Sequence, residues 1–376
     1  MKIYIMYSRI FDLNGENLTI GGIQTYLLNL AKLFKDNNYD IEIFQSGNFD
    51  WEKIYNGIKF IGIDTSKIKK TRDQRIYVYN KILEKYEKND VLIFGTDSIA
   101  IKNKQVKSIS IQHGIYFDYL NTKGLKLQFF HRLGLDKINM YLERRRAIKE
   151  FLNSDIKVCV DYNFLNWIRT FELRKDLKNI YVIPNYTHIN KNIEKRDPKK
   201  IKILFARRFM MERGVYILEK IVNSLADKYE NIAFTIAGSG QLENYVKENI
   251  ISNRKNVFLT SYGHEESLKV HADHDISLVP SYGSEGTSLS LLEAMTSRCI
   301  PIASNVGGMT NIILDGFNGY LVNPEADEFI EKIELLINDE YLRNKLQNNA
   351  KKSADESFSY EVWSKKWLEV IEKVKL

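Results

Sequence analysis

The chain has 376 residues, more than one hydrophobic core usually supports, so two domains are expected. Its 44% hydrophobic and 27% charged content is that of a folded protein, and no run of eighteen apolar residues marks a membrane-spanning segment. Cys159 and Cys299 end apolar runs with no Cys or His at ligand spacing beside them, so neither a structural disulfide nor a zinc site is expected.

The N-terminus, Met1-Lys-Ile-Tyr-Ile-Met, is too short and polar-flanked for an export signal, and a cytosolic protein is expected. Apolar, β-branched runs predict strands over Lys2 to Tyr7, Asp40 to Gln45, Val91 to Gly95, Ser108 to Gln112, Ile156 to Val160 and Ile180 to Pro184. In the second half they predict strands over Lys202 to Ala206, Ile232 to Ala237, Val257 to Leu259, Ile276 to Pro280, Ile300 to Ala303 and Gly319 to Val322. Such runs alternating with helical patterns describe parallel sheets covered on both faces, an α/β fold with one doubly wound unit in each half. The polar stretch Asn185 to Lys200 reads as the linker between them. A last helix, from Tyr360, carries apolar residues at Val362, Trp363, Trp367, Val370, Ile371 and Val374, a face that must pack on something.

The net charge of +7 is unevenly spread: residues 101–150 hold eleven Lys and Arg against four acidic residues. Within them Gly124 to Ile138 alternates apolar and basic residues. Two readings stand, a helix on an anionic membrane surface and a solvated basic helix packed on its own domain. No nucleic-acid motif accompanies the charge.

Candidate ligand contacts fall at strand-to-helix turns. Gly21-Gly22 precedes the apolar helix Leu27 to Phe34, where two glycines let phosphates approach a helix start, or simply make the turn. Gln112-His113-Gly114 ends a strand, so His113 is either a cleft residue or a satisfied loop histidine. Ala206-Arg207-Arg208 and Arg213-Gly214 follow the first strand of the second half, placed to grip a diphosphate or merely to decorate a basic loop. Gly238-Ser239-Gly240 forms a further turn that fits a nucleotide edge. Most informative is Glu285-Gly-Thr-Ser-Leu-Ser-Leu-Leu-Glu293. Its carboxylates are separated by about 12 Å of helical rise and roughly 80° of rotation. The unpaired amides of Gly286, Thr287, Ser288 and Leu289 suit an anion at the helix start, with hydroxyl groups on the two carboxylates. Asp273-His-Asp275 looks like a metal motif, but Asp275 opens a strand and reads as structural.

Taken in order, Gly21-Gly22, Gln112-His113-Gly114, Ile183-Pro184-Asn185, Arg208 with Arg213-Gly214, Gly238-Ser239-Gly240 and Glu285-x7-Glu293 resemble the motif series of family-four glycosyltransferases. Asp275-Ile-Ser-Leu-Val-Pro-Ser281 and Asn305-Val-Gly307-Gly308 belong to the same likeness. It implies a GT-B fold, two Rossmann-like doubly wound domains facing each other across a cleft. On that basis residues 1–186 form the acceptor-side domain, 187–359 the nucleotide-sugar domain, and helix 360–376 crosses back onto the first.

The resemblance further implies that Arg208 and Arg213 neutralise the diphosphate, Glu293 binds the ribose, and Glu285 with the following amides holds the transferred sugar. Asn185, Gly238 and Gly240 would line the donor site, Gly22 would close over the diphosphate, and His113 would contact the donor sugar. Arg213 stands where the family usually has lysine, and Gly-Thr-Ser replaces the common Gly-Phe-Gly after Glu285. The expected activity is retaining, metal-independent sugar transfer from a nucleotide sugar to a hydroxyl acceptor, with no cofactor, in bacterial cell-surface glycan synthesis. Expected partners are the donor, a glycan or lipid-linked acceptor and the inner face of an anionic membrane. A nucleotide-sugar epimerase and a non-catalytic sugar-binding protein are the rival readings.

Overall fold

The computed structural model describes residues 1–375 apart from 20, 116, 118–129, 174–176, 194–195, 198, 253 and 284. Two compact units divide the chain: Met1–His113, Asn121–Ile183 and Ser364–Leu376 in unit 1, and Gly114–Leu120 with Pro184–Trp363 in unit 2.

Unit 1 is built on an eight-stranded sheet: β1 (Lys2–Met6), β2 (Asp40–Gly47), β3 (Trp51–Tyr55), β4 (Ile58–Asp64), β5 (Val91–Phe94), β6 (Lys107–Gln112), β7 (Ile156–Cys159) and β8 (Ile180–Val182). Their order is β3-β4-β2-β1-β5-β6-β7-β8, parallel except for β3 against β4. Strands such as β5 are buried on both faces, which is why they read as unbroken apolar runs. The sheet's growth reverses between β1 and β5, its topological switch point.

Helix α1 (Gly22–Asp36) starts five residues before the expected Leu27, with Gly21 as its cap. An unexpected hairpin joins β3 to β4. Its two-residue turn, Asn56-Gly57, has positive φ at both positions (50° and 68°), the geometry that Asn-Gly favours. That hairpin carries Trp51, whose Nε1 donates to the Leu13 carbonyl at 3.2 Å and ties the loop after β1 to the sheet. The last helix, Tyr360–Lys375, places Trp367 in unit 1, fully buried, with Nε1 donating to the Tyr26 hydroxyl at 2.8 Å.

Unit 2 has six parallel strands, β9 (Ile201–Ala206), β10 (Ile232–Ala237), β11 (Val257–Thr260), β12 (Ile276–Val279), β13 (Ile300–Ser304) and β14 (Tyr320–Val322). Their order is β11-β10-β9-β12-β13-β14, so the switch point lies between β9 and β12. Ile203, Phe205, Ile236 and Leu278 from the sheet pack with Leu218 and Phe329 from its helices, all buried. Within the stretch Asn185 to Lys200, Arg196 is tied into unit 2. Arg196 donates to the carbonyls of Ala272 (2.8 Å), Arg298 (2.7 Å) and Ser297 (2.7 Å), capping two helix ends with a side chain that a polar composition alone does not reveal.

Residues 124–129 of the basic segment Gly124 to Ile138 lie outside the described residues. The helix that follows, Asp136–Phe151, exposes Ile138, Tyr141 and Leu142 on the face that also holds exposed Arg145.

Candidate active site

The unit 2 site forms at the carboxyl ends of β9 and β12, the two strands flanking the switch point, where doubly wound sheets bind ligands. Glu285 lies in the loop after β12 and is 7% exposed. Its Oε1 accepts from the guanidinium groups of Arg207 and Arg213 and from Ser281 Oγ at 2.8 Å. Arg207, at the end of β9, also donates to Ser281 Oγ at 3.0 Å and Ser288 Oγ at 2.9 Å. Burial, then the charges of Arg213 and Arg208, push the Arg207 pKa down, and burial followed by Arg208 does the same for Arg213. The Glu285 carboxylate between them offsets that repulsion. Arg208 itself is exposed on the following residue. Three guanidiniums against one carboxylate leave the cluster net positive, suited to a polyanion.

Ser288 caps the helix Leu289–Thr296, and Arg207 thereby fixes the turn whose amides point out of the helix start. Asn185 Nδ2 donates to the Thr287 carbonyl at 2.6 Å, and its buried Oδ1 has no hydrogen-bond partner among the described residues. Gly307 packs on the same loop: its φ of 55° and the Glu285 carbonyl oxygen leave no room for a Cβ. Gly308 N donates to that oxygen at 3.0 Å. Gly238 and Gly240 flank Ser239, whose carbonyl accepts from Phe209 N at 2.8 Å and sets the course of the arginine loop.

Glu293, one turn into the helix, accepts from Ser267 Oγ at 2.7 Å. His271 Nδ1 donates to the Ser267 carbonyl at 2.9 Å, and Tyr262 is pushed up to about 12 by burial and then by the Glu293 charge. Asp275 accepts from Lys202 N at 2.9 Å and joins strand starts at the opposite end of the sheet. No group of three or more His, Cys, Asp or Glu able to hold a metal ion occurs among the described residues.

In unit 1, His113 follows β6. Its Nε2 donates to the Gly95 carbonyl at 2.8 Å and its ring stands edge-on to Tyr26, centroids 5.3 Å apart. Burial lowers its pKa to about 4, so the ring is neutral at pH 7 with Nε2 protonated and Nδ1 an acceptor. Gly21 and Gly22 begin α1, and a Cβ added at Gly22 meets no atom within 4 Å.

Unit 2 therefore gathers Asn185, Arg213, Glu285 to Leu289 and Glu293, with Arg208 at the rim and Gly238 and Gly240 alongside. Sequence reasoning placed Arg207 among the arginines after β9 but gave it no role of its own, assigning the diphosphate to Arg208 and Arg213. The signal was its adjacency to Arg208: residues next to each other at a strand end point to opposite sides, so each arginine deserved its own role.

A doubly wound unit with a cationic cluster and a helix start at its switch point belongs to the class of α/β proteins that bind nucleotide-like anions. Residues 187–353 match the model of the glycosyl transferases group 1 family. Residues 187–353 thus carry the likeness to that family, and the chain as a whole has the GT-B fold. It is 26% identical to an uncharacterised glycosyltransferase of Methanocaldococcus jannaschii, over 94% of this chain and 95% of that one. It is 22% identical to the lipopolysaccharide 1,2-N-acetylglucosaminetransferase of Salmonella typhimurium, over 96% and 95%. Among solved structures, sucrose-phosphate synthase from Thermosynechococcus elongatus aligns with a TM-score of 0.76 at 16% identity, covering 99% of this chain and 98% of that one. Staphylococcus aureus TarM, solved with fondaparinux, α-GlcNAc-glycerol and UDP, aligns with a TM-score of 0.70 at 16% identity, covering 99% and 100%.

Proposed function

We propose that the chain moves a sugar from a nucleoside-diphosphate donor to a hydroxyl of a cell-surface glycan acceptor, retaining anomeric configuration. The observation that carries this is the Arg207, Arg213 and Glu285 cluster joined to the start of helix Leu289–Thr296. In this reading the diphosphate rests on the amides of the helix start and on Arg208 and Arg213, and the ribose hydroxyls on Glu293. Glu285, fixed by Arg207, faces the transferred sugar. His113, neutral, offers Nδ1 to a sugar hydroxyl.

As the sugar C1 to phosphate-oxygen bond breaks, the departing diphosphate gains negative charge. The arginines and helix dipole stabilise it, a contribution of roughly 3 kcal/mol per well-placed donor. The acceptor oxygen bonds to C1 on the same face, and its proton passes to the departing phosphate oxygen. The guanidiniums supply cationic charge at that oxygen, so no divalent ion is required. UDP sugars are the first donors to test, since TarM was solved with UDP. Activity in excess chelator, product anomer by NMR and loss of turnover in Arg213→Ala test the three claims.

No helix among the described residues is long and apolar enough to cross a membrane. The exposed stripe of Ile138, Tyr141, Leu142 and Arg145 fits surface contact with anionic lipid instead. Cosedimentation with vesicles rich in phosphatidylglycerol, absent with phosphatidylcholine alone and reduced by Tyr141→Asp, supports that contact. Equal binding to both vesicles, or binding to neither, removes it.

A further inference from the structure

Unit 1 contains a cavity of about 510 Å³ at the carboxyl ends of β1, β2 and β4, a size typical of small-molecule sites. Its lining is chemically one-sided. Arg9 and Arg75 bring two positive charges, and no aspartate or glutamate lines it. Hydroxyls come from Ser8, Ser46, Thr65, Ser66 and Thr71, and amides from Asn48 and Gln74.

Arg75, on helix α2 (Thr71–Leu83), is held in the wall by neutral acceptors, with Nη1 donating to the Ser98 carbonyl at 2.6 Å. Neither Arg75 nor Arg9 has a carboxylate partner among the described residues, so no described carboxylate neutralises either charge. The segment that supplies Thr65, Ser66, Thr71, Gln74 and Arg75 to the lining also carries Lys67, Lys69, Lys70 and Arg72 in sequence, against the single acid Asp73.

The Arg9 wall is built rather than loose. Fully buried Gln45 accepts from Ile10 N and Phe11 N, each at 2.8 Å, and returns Nε2 to the Phe11 carbonyl at 3.0 Å. Thr19 Oγ1 and Gln24 Nε2 donate to the Arg9 carbonyl at 3.2 and 3.3 Å. A cavity with fixed walls, two unneutralised guanidiniums and a hydroxyl and amide lining matches a ligand that is both anionic and hydroxylated.

We infer that this cavity binds an acidic sugar residue of the acceptor, one bearing a carboxylate or a phosphate, with Arg9 and Arg75 on the anionic group. The inference rests on the transferase reading for the word acceptor, but the binding itself can be measured apart from it.

The test is calorimetric titration of the purified protein with three probes: a glucuronic-acid disaccharide, its neutral glucose counterpart and a glycerol-phosphate disaccharide. One or both acidic probes should bind at least about tenfold more tightly than the neutral one. Which of them does names the anionic group. The preference should shrink as salt rises from 50 to 500 mM and vanish in Arg75→Gln, while Arg75→Lys retains part of it. Thermal unfolding of each variant checks that it is folded, and Arg9→Gln gives an independent second site.

Equal binding of all three probes overturns the assignment, as does a preference that survives in both folded glutamine variants. Titration with UDP sugars in the same preparation reports on the transferase reading. A protein that binds no nucleotide sugar but shows the arginine-dependent preference contradicts that reading and sustains the cavity. Donor binding without the preference contradicts the cavity alone.

Discussion

Arg207 Nη1 donates to Ser288 Oγ at 2.9 Å, and this one bond ties the end of β9 to the cap of helix Leu289–Thr296. The same guanidinium holds Glu285, so a single buried side chain sets both the amide turn and the carboxylate of the site. Arg207 is a positioning residue, and Arg208, exposed beside it, is the one able to meet a ligand.

Replacing Arg207 by Met should cost about 3 kcal/mol, since it leaves Glu285 buried with one cation fewer and Ser288 unbound. Arg207→Lys should recover little, because one ammonium cannot match the planar fork that reaches Ser281, Ser288 and Glu285 together. Urea unfolding gives the stability change, and donor titration of the folded fraction shows whether the amide turn has shifted. An unaltered midpoint in Arg207→Met contradicts the role.

Two glycine substitutions should move in opposite directions. Gly214 has φ 82° and lies against the Pro280 carbonyl oxygen, so Gly214→Ala should destabilise by about 1–3 kcal/mol. Gly22 starts α1 in open space, so Gly22→Ala should leave stability unchanged or raise it by up to ~1 kcal/mol. If the opening at Gly22 serves the donor, the same variant should weaken turnover. Thermal melts and donor hydrolysis on both proteins separate structure from binding.

Acid should destabilise the protein through its buried imidazoles. His113 and His274 both have pKa values lowered to about 4, chiefly by burial, against 6.5 when exposed, and His271 is lowered as well. The unfolded chain binds these protons first, so stability is full above pH 6.5 and falls as pH drops toward 4. At about 1.36 kcal/mol per pH unit between the two values, discounted for partial exposure, the His113 and His274 rings each contribute on the order of 2 kcal/mol. Denaturant midpoints at pH 7.5, 6 and 5 should decline, and less steeply in His113→Gln. Between pH 5 and 8 the His113 ring keeps one charge state, so it should not shape a pH profile of turnover there.

Much of the fold was legible because buried parallel strands write themselves as unbroken apolar runs. All six second-half strands lie within a residue or two of their expected bounds. The β3–β4 hairpin was missed although Asn56-Gly57 signals it: Trp51-Glu-Lys-Ile-Tyr alternates too weakly to compete with the apolar runs around it. Arg196 was missed for a different reason, since its role depends on carbonyls some 75 to 100 residues away in sequence. The cavity of unit 1 was invisible in the same way, assembled from residues between Met6 and Ile99 that share no motif. Glu285 and Glu293 stood out because helix spacing is local; Arg207 did not, because its partners are brought to it by the switch point.

The most direct measurement is thermal shift and nucleoside-diphosphate release across UDP, GDP, ADP, CMP and dTDP sugars, with Glu293→Ala and Arg213→Ala beside the unaltered protein. A donor at a hundredfold its dissociation constant should stabilise the protein by about 2.7 kcal/mol. The account predicts that one donor raises the melting temperature and releases its nucleotide, and that both variants, still folded, lose the two effects. Binding that persists in both variants, or the absence of binding by every donor, would contradict it.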